Sequence, residues 1–194
     1  MIAVFLQQEY AHRNRYGERI DACLGEEGVD ASRITEPNLD DPIANDDRRR
    51  VFARYRGYGA GQPSYLTDFP DTGVKWNLVA LTPGELLDSR FIRYAYWTDL
   101  SGGTRLPKIA AERIRAGIGV EGQPHQHFLD LAKKLRQGLK VPTMILVSAD
   151  NGKTRVVLEG HSRITAFALA PDAIPDETEV ILGTSPDVAR WDEY

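Results

Sequence analysis

The residues best suited to chemistry lie together in Arg155-Val156-Val157-Leu158-Glu159-Gly160-His161-Ser162-Arg163. Three consecutive apolar residues, Val156 to Leu158, suit a buried strand. The strand stops on a carboxylate, Glu159. Gly160 then permits a sharp turn and a close backbone approach to a ligand. The polar trio His161, Ser162 and Arg163 opens a helix. A helix start leaves several N–H groups unpaired, with the positive end of the helix dipole behind them. That arrangement suits an anion, most often a phosphate. Arg163 can add a forked cation one turn in. Glu159 can act as a base or as a Mg²⁺ ligand. The competing reading is a plain strand-to-helix turn with a surface arginine.

A second stretch, Ser101-Gly102-Gly103-Thr104-Arg105-Leu106-Pro107, sets two hydroxyls, two glycines and an arginine just before a helix. Ser101, Thr104 and Arg105 make it either another anion-binding loop or an ordinary capped loop. A third, Arg54-Tyr55-Arg56-Gly57-Tyr58-Gly59-Ala60-Gly61, interleaves arginine, tyrosine and glycine. Arg56 and Tyr58 there can line a substrate wall, or the stretch is a helix end running into a turn. His125 and His127 are two apart at a helix start, with no third ligand close in sequence, and read as polar packing rather than a metal pair. No nucleophile-elbow pattern supports a Ser-His-Asp hydrolase.

These stretches need a scaffold. Residues 1 to about 27 carry apolar residues at helical spacing, interrupted at Gly17. Residues 28 to 44 read as loop, and Asn45-Asp46-Asp47 as the cap and first turn of a helix ending near Tyr55. Residues 62 to 75 form a Pro- and Gly-punctuated connection. A strand is predicted over 76–81, followed by the helix start Thr82-Pro83-Gly84-Glu85. Residues 91–97 have strand-like composition. A helix is expected over 107–115, loop over 117–124, and another helix over 126–137 closed by Gly138. Strands follow at 141–147 and 155–158, joined through Asp150-Asn151-Gly152-Lys153, a hairpin signal. The helix after Gly160 runs toward Pro171, and a last strand covers 179–183.

Composition sets the class. The 194 residues are 42% hydrophobic and 27% charged, with net charge −4, the profile of a globular protein. No apolar run approaches the roughly 18 residues of a membrane span, and the opening Met1 to Leu6 lacks the form of a signal peptide. A cytoplasmic protein without a membrane partner is expected. The single Cys23 has no internal disulfide partner. The absence of a basic surplus disfavours nucleic acid as the main partner, although Arg48, Arg49, Arg50, Arg54 and Arg56 cluster locally.

The order of elements from Asn77 to Trp191 resembles the ParB/sulfiredoxin superfamily, specifically the ParB N-terminal-like domain. The likeness rests on Thr82-Pro-Gly-Glu-Leu-Leu87, on Phe128-Leu-Asp-Leu-Ala-Lys-Lys-Leu-Arg-Gln-Gly-Leu-Lys-Val-Pro-Thr-Met-Ile-Leu-Val147, on Val157-Leu-Glu-Gly-His-Ser-Arg-Ile-Thr-Ala-Phe-Ala-Leu169, and on Glu179-Val-Ile-Leu-Gly183. It implies an α+β fold with a small mixed sheet and packed helices over residues 76–194, preceded by a mainly helical extension over 1–75. In that superfamily a strand, an acidic or small residue, glycine, two variable residues and arginine hold nucleotide phosphates. The motif maps onto Glu159, Gly160, His161, Ser162 and Arg163.

The branches differ at two positions. Sulfiredoxins need a cysteine where His161 stands. Partitioning proteins carry an arginine where Ser162 stands and continue into helix-turn-helix regions. Free serine kinases use an acidic residue followed by Gly-His-His-Arg, the nearest match. The resemblance therefore implies a phosphotransferase using ATP or ADP with Mg²⁺ on a small hydroxyl-bearing molecule. Gly160 to Arg163 would cradle the phosphates, Glu159 would bind Mg²⁺ or take the hydroxyl proton, and His161 would contact phosphate or act as acid/base. Ser101, Thr104 and Arg105 would close the other side. Two alternatives stand beside it. One is a ParB-like nuclease or DNA-associated protein, which requires Arg48–Arg50, Arg54, Arg56, Arg113, Arg115, Lys133, Lys134 and Arg136 to converge. The other is a nucleotide sensor without turnover.

Overall fold

Thr82 caps its helix as the sequence signals. In the computed structural model its hydroxyl accepts from the Glu85 N–H, and the Glu85 carboxylate accepts from the Thr82 N–H at 2.9 Å. The structure describes residues 1–59, 64–70, 72–121, 123 and 125–194. Ala60 and Gly61 of the expected ligand loop, and residues 62, 63, 71, 122 and 124 of the expected connections, lie outside them. The chain forms two compact units, Met1–Gly73 and Val74–Tyr194.

The first unit is helical: α1 (Ile2–Ala11), a π-turn (Arg13–Gly17) where Gly17 interrupts the pattern, α2 (Glu18–Glu27), α3 (Ser32–Thr35) and α4 (Pro42–Arg56). Helix α3 occupies part of the stretch expected as loop, its first turn held by the Asp30 carboxylate on the Ser32 N–H. Helix α4 begins earlier than the expected cap at Asn45. Asp41 caps it by accepting from Ile43 and Ala44 N–H, and Pro42 occupies the first turn. An Asp-Pro pair provides both cap and preset φ. Asn45 serves Arg48 instead. The Arg48 guanidinium is buried and donates to the Arg33 and Asn38 carbonyls and to Asn45 Oδ1. Phe5 and Phe52 meet edge to face at 4.8 Å in this unit's core.

The second unit is α+β. A mixed sheet of β1 (Lys75–Leu81), β2 (Met144–Ser148), β3 (Val156–Glu159) and β4 (Thr178–Thr184) runs in the order β1-β4-β2-β3. β4 is antiparallel to β1 and parallel to β2, and β3 returns antiparallel to β2. Helices α5 (Pro83–Leu87), α6 (Ala95–Leu100), α7 (Pro107–Arg115), α8 (Gln126–Arg136) and α9 (His161–Leu169) accompany it. One sheet face, with Met144, Leu146, Val157, Val180 and Leu182, joins Phe128, Ala132, Leu135, Ile164 and Phe167 in a single core. β2 is buried throughout, as a strand flanked on both edges and covered on both faces must be.

Two local expectations are corrected. The strand predicted from Val141 begins only at Met144, because Pro142 has no N–H for a ladder. Residues 91–97, strand-like in composition, form no strand. Arg90 alone bridges to β3, its N–H donating to the Arg155 carbonyl and its carbonyl accepting from the Val157 N–H. The chain then turns inward at Phe91 and begins α6 at Ala95. The β2–β3 turn matches its signal, with Asn151 and Gly152 both at positive φ, 57° and 86°, as the favoured hairpin turn requires.

Candidate functional site

The end of β3 meets the start of α9 at a single residue. Gly160 adopts φ 115° and ψ 18° and is the N-cap, with no side chain capping the first turn. A Cβ on Gly160 would lie 2.5 Å from Met144 Cγ on β2. Strand and helix are thus joined with no intervening loop, and the first-turn N–H groups follow at once. Ser162 lies half-exposed on that turn.

Arg163 does not reach outward. Its guanidinium donates to the carbonyls of Pro142 at 2.8 Å and Thr143 at 3.1 Å, and to Glu159 Oε1 at 2.5 Å. The side chains of Arg163 and Glu159 are only 11% and 22% exposed. Arg163 fastens the irregular lead-in to β2 onto the β3–α9 corner, and Glu159 is the one exchangeable partner among these three acceptors.

His161 faces inward. Its ring stacks on Trp97 at 4.9 Å with planes 16° apart, and Phe91 lies 6.2 Å away at 26°. Its Nε2 is buried without a hydrogen-bond partner among the described residues. Burial, reinforced by the Arg163 charge and opposed by a bond to the Val157 backbone, pushes the imidazole down to about 3. The ring is therefore neutral at physiological pH. An imidazolium acid at His161, one of the roles implied by the resemblance, does not exist at neutral pH in this fold.

This has a measurable consequence. Above the ordinary value of 6.5 the histidine is neutral in both folded and unfolded chains. Below it the unfolded chain takes up a proton that the native ring refuses, so stability falls with acid by at most about 1.4 kcal/mol per pH unit. Urea unfolding followed by tryptophan fluorescence should show a loss of about 1–2 kcal/mol between about pH 7 and about pH 5. His161→Phe should flatten that slope. An identical slope in the variant would assign the acid sensitivity elsewhere.

The Ser101–Arg105 loop holds itself rather than a ligand. The N–H groups of Gly102, Gly103 and Thr104 donate to the Asp99, Thr98 and Ser101 carbonyls. Those of Arg105 and Leu106 donate to the Ser101 and Thr104 hydroxyls. Ser101 is fully buried and also donates to the Trp97 and Thr98 carbonyls. Thr104 donates to the Ser101 carbonyl. Every amide that a phosphate cradle would need is taken, so Ser101 and Thr104 are scaffold and only the Arg105 guanidinium is left for a ligand. The expectation of a second hydroxyl-lined anion loop is corrected accordingly.

Arg56 and Tyr58 belong to the core of the first unit. Arg56 pairs with Glu9 at 2.5 Å and lies over the rings of Tyr55, Tyr65 and Tyr16. Tyr58 is buried between Phe52 and Phe69 at 5.2 and 6.0 Å. Neither is displayed as a substrate wall.

The arginines of the proposed basic face are mostly engaged. Arg48 is buried, Arg50 pairs with Glu27 and Asp47, and Arg54 with Glu26 and Glu27. In the second unit Arg113 donates to the Leu100 carbonyl and Arg115 to those of Ala168 and Leu169. Arg136 pairs with Asp172. Guanidiniums already paired with carboxylates, as Arg50, Arg54 and Arg136 are, have little net charge to offer a phosphate backbone.

The histidine pair also divides. His125 Nε2 accepts from the Val120 N–H at 3.2 Å, and the His127 ring lies tilted against Phe128, centroids 3.8 Å apart. Among the described residues no group of three or more His, Cys, Asp or Glu side chains could hold a metal ion, and no helix is long and apolar enough to cross a membrane.

Sequence reasoning missed the partners of the motif. Phe91 and Trp97 cover His161, Met144 underlies Gly160, and Pro142 and Thr143 receive Arg163. The aromatic density of residues 91–97 was the only local signal. Compared with protein-family models, with curated proteins and with solved structures, the chain matches none.

Proposed function

We propose that the β3–α9 corner binds the phosphates of a nucleotide, ATP or ADP with Mg²⁺, and that the protein transfers a phosphoryl group to a small hydroxyl-bearing molecule. The observation that carries the reading is the junction itself: Gly160 at φ 115° turns β3 directly into a first helical turn that no side chain caps. Uncapped N–H groups and the helix dipole favour an anion there. The likeness of Glu159 to Arg163 to the phosphate-holding motif of the ParB/sulfiredoxin superfamily supports the same reading.

On this reading each residue has a task. A phosphate entering the corner competes with Glu159 for Arg163, which keeps its two carbonyl anchors. The displaced Glu159 carboxylate then faces the phosphates, where it can take the proton of the acceptor hydroxyl. With ATP the acceptor oxygen bonds the γ-phosphorus, the bond from that phosphorus to the β-phosphate oxygen breaks, and ADP leaves; with ADP the same exchange at the β-phosphorus releases AMP. Glu159 is the carboxylate at this corner that would hold Mg²⁺, and the ion would supply charge neutralisation. His161, neutral and stacked, positions the first turn.

Ser162→Asp tests this without endangering the fold. An acid in the first turn favours the helix but repels phosphate. The wild-type protein should bind ATP or ADP with Mg²⁺ by titration calorimetry. The variant should keep its melting temperature and bind at least about tenfold more weakly, the loss expected for a like charge placed about 4 Å from the phosphate. No heat with either nucleotide, or unchanged affinity in the variant, would sink the reading. Binding with no product over a panel of hydroxyl compounds would leave a sensor.

A further inference from the structure

Three arginines lie near enough for their charges to interact where residue 90 borders β3. Arg105, at φ 63°, is a non-glycine residue in the left-handed region, a conformation that costs about 1–2 kcal/mol. The loop of internal bonds described above enforces it. The side chain is fixed as well: Nε donates to the Phe91 carbonyl at 2.8 Å, and a terminal nitrogen reaches the Glu193 carbonyl at 3.5 Å. The same Glu193 carbonyl accepts from the Arg93 N–H at 2.9 Å. The Phe91 N–H donates back to the Arg105 carbonyl at 2.8 Å, so Arg90, the neighbour of Phe91, is tied to the same point.

The charges in this cluster are unbalanced. Burial, with Arg93 and Arg90 close by, pushes the Arg105 guanidinium down to about 10. The near carboxylates are Glu193 and the flanking Asp192. Burial and Asp192 raise the Glu193 carboxyl, against the pull of Arg105 and Arg93, and its Oε2 is buried with no hydrogen-bond partner. Among the described residues no ion pair engages Arg90, Arg93 or Arg105. A guanidinium has five donors, and Arg105 uses two. Arg90 and Arg93 are exposed. A half-buried, rigid fork beside two exposed cations is an arrangement that tetrahedral oxyanions select.

We propose that Arg90, Arg93 and Arg105 form an anion site that takes a phosphate group, built from none of the residues Glu159 to Arg163 and independent of the nucleotide reading. The Ser101–Arg105 loop contributes by rigidity, holding Arg105 in place while its own amides stay occupied.

The probe is inorganic phosphate, titrated at constant ionic strength against chloride and followed by calorimetry and by the shift in melting temperature. Arg90→Ala/Arg93→Ala removes two exposed side chains that brace nothing, and should leave the unliganded melting temperature unchanged. It should weaken phosphate binding at least about tenfold, as loss of charge-assisted contacts predicts. Arg105→Lys, which keeps the charge and loses the fork, should also weaken it. Ser162→Asp should leave phosphate affinity at this site intact. The proposal is overturned if phosphate binds no better than chloride, if the double variant binds as the wild type does, or if Ser162→Asp alone abolishes binding.

Discussion

Replacing Arg56 by methionine is expected to destabilise the first unit by about 3–5 kcal/mol, the cost of leaving one member of a buried ion pair alone. The Arg56 and Glu9 side chains are 12% and 5% exposed. Their bond is bidentate, with Arg56 Nη2 within 2.6 Å of both Glu9 oxygens. Burial pulls Arg56 down, but Tyr65, Glu9 and Tyr55 outweigh it and hold the guanidinium above its usual range. Without Arg56 the Glu9 carboxylate has lost its water and its cation together. Arg56 also lies 4.3 Å above the Tyr55 ring, a cation–π contact worth up to about 2 kcal/mol when desolvated.

The pair itself is a different matter. Removing both charges, as Glu9→Leu/Arg56→Met, should recover much of the loss, because desolvation of the two ions offsets most of their attraction. Hydrogen exchange of α1 and α4 amides reads the result, since the three tryptophans Trp76, Trp97 and Trp191 all lie in the second unit. A single variant within about 1 kcal/mol of wild type would show that water reaches Glu9 freely.

Gly160→Ala is expected to be comparably damaging in the second unit, at about 2–5 kcal/mol. A positive φ costs a side-chain-bearing residue about 1–2 kcal/mol. Pressing a methyl onto the Met144 side chain, 2.5 Å from Cγ, adds about 1–3 kcal/mol of overpacking. Tryptophan fluorescence should report a melting temperature lower by roughly 10 °C. Met144→Ala in the Gly160→Ala background should cost less than it does alone, because it removes the clashing atoms while the backbone strain stays. Additive losses would show that Met144 is not what excludes a Cβ at this corner. Since Gly160 turns the strand into the uncapped helix start, the nucleotide binding proposed for this corner should fall with it.

Much of the second unit was legible because its elements are bounded by residues with local meanings. Thr82 to Glu85 is a complete capping box, Asn151-Gly152 prescribes a hairpin, and Gly138 sits at φ 88° just past α8. The α+β class with a small mixed sheet was what the resemblance implied, and the order of those punctuated elements is what carried the resemblance. The α4 cap was misplaced because Asn45 and Asp41 are both good caps, and only the adjacent Pro42 and the needs of Arg48 separate them. Residues 91–97 misled because aromatic composition suits a strand and a packed helix equally; the edge of β3 takes one residue, Arg90, and no more.

By itself the sequence determined that a glycine joins a buried strand to a helix at residue 160, and that Glu159, His161, Ser162 and Arg163 attend the joint. These are local facts, set by backbone freedom and by apolar patterning. The tertiary structure decided where those side chains go. Arg163 finds the Pro142 and Thr143 carbonyls some twenty residues upstream, His161 is driven neutral by burial in an aromatic stack assembled from another segment, and Arg105 is anchored on the Phe91 and Glu193 carbonyls. A guanidinium or an imidazole takes its protonation and its partners from whatever the folded chain brings within a few ångströms, and that neighbourhood is not encoded in spacing.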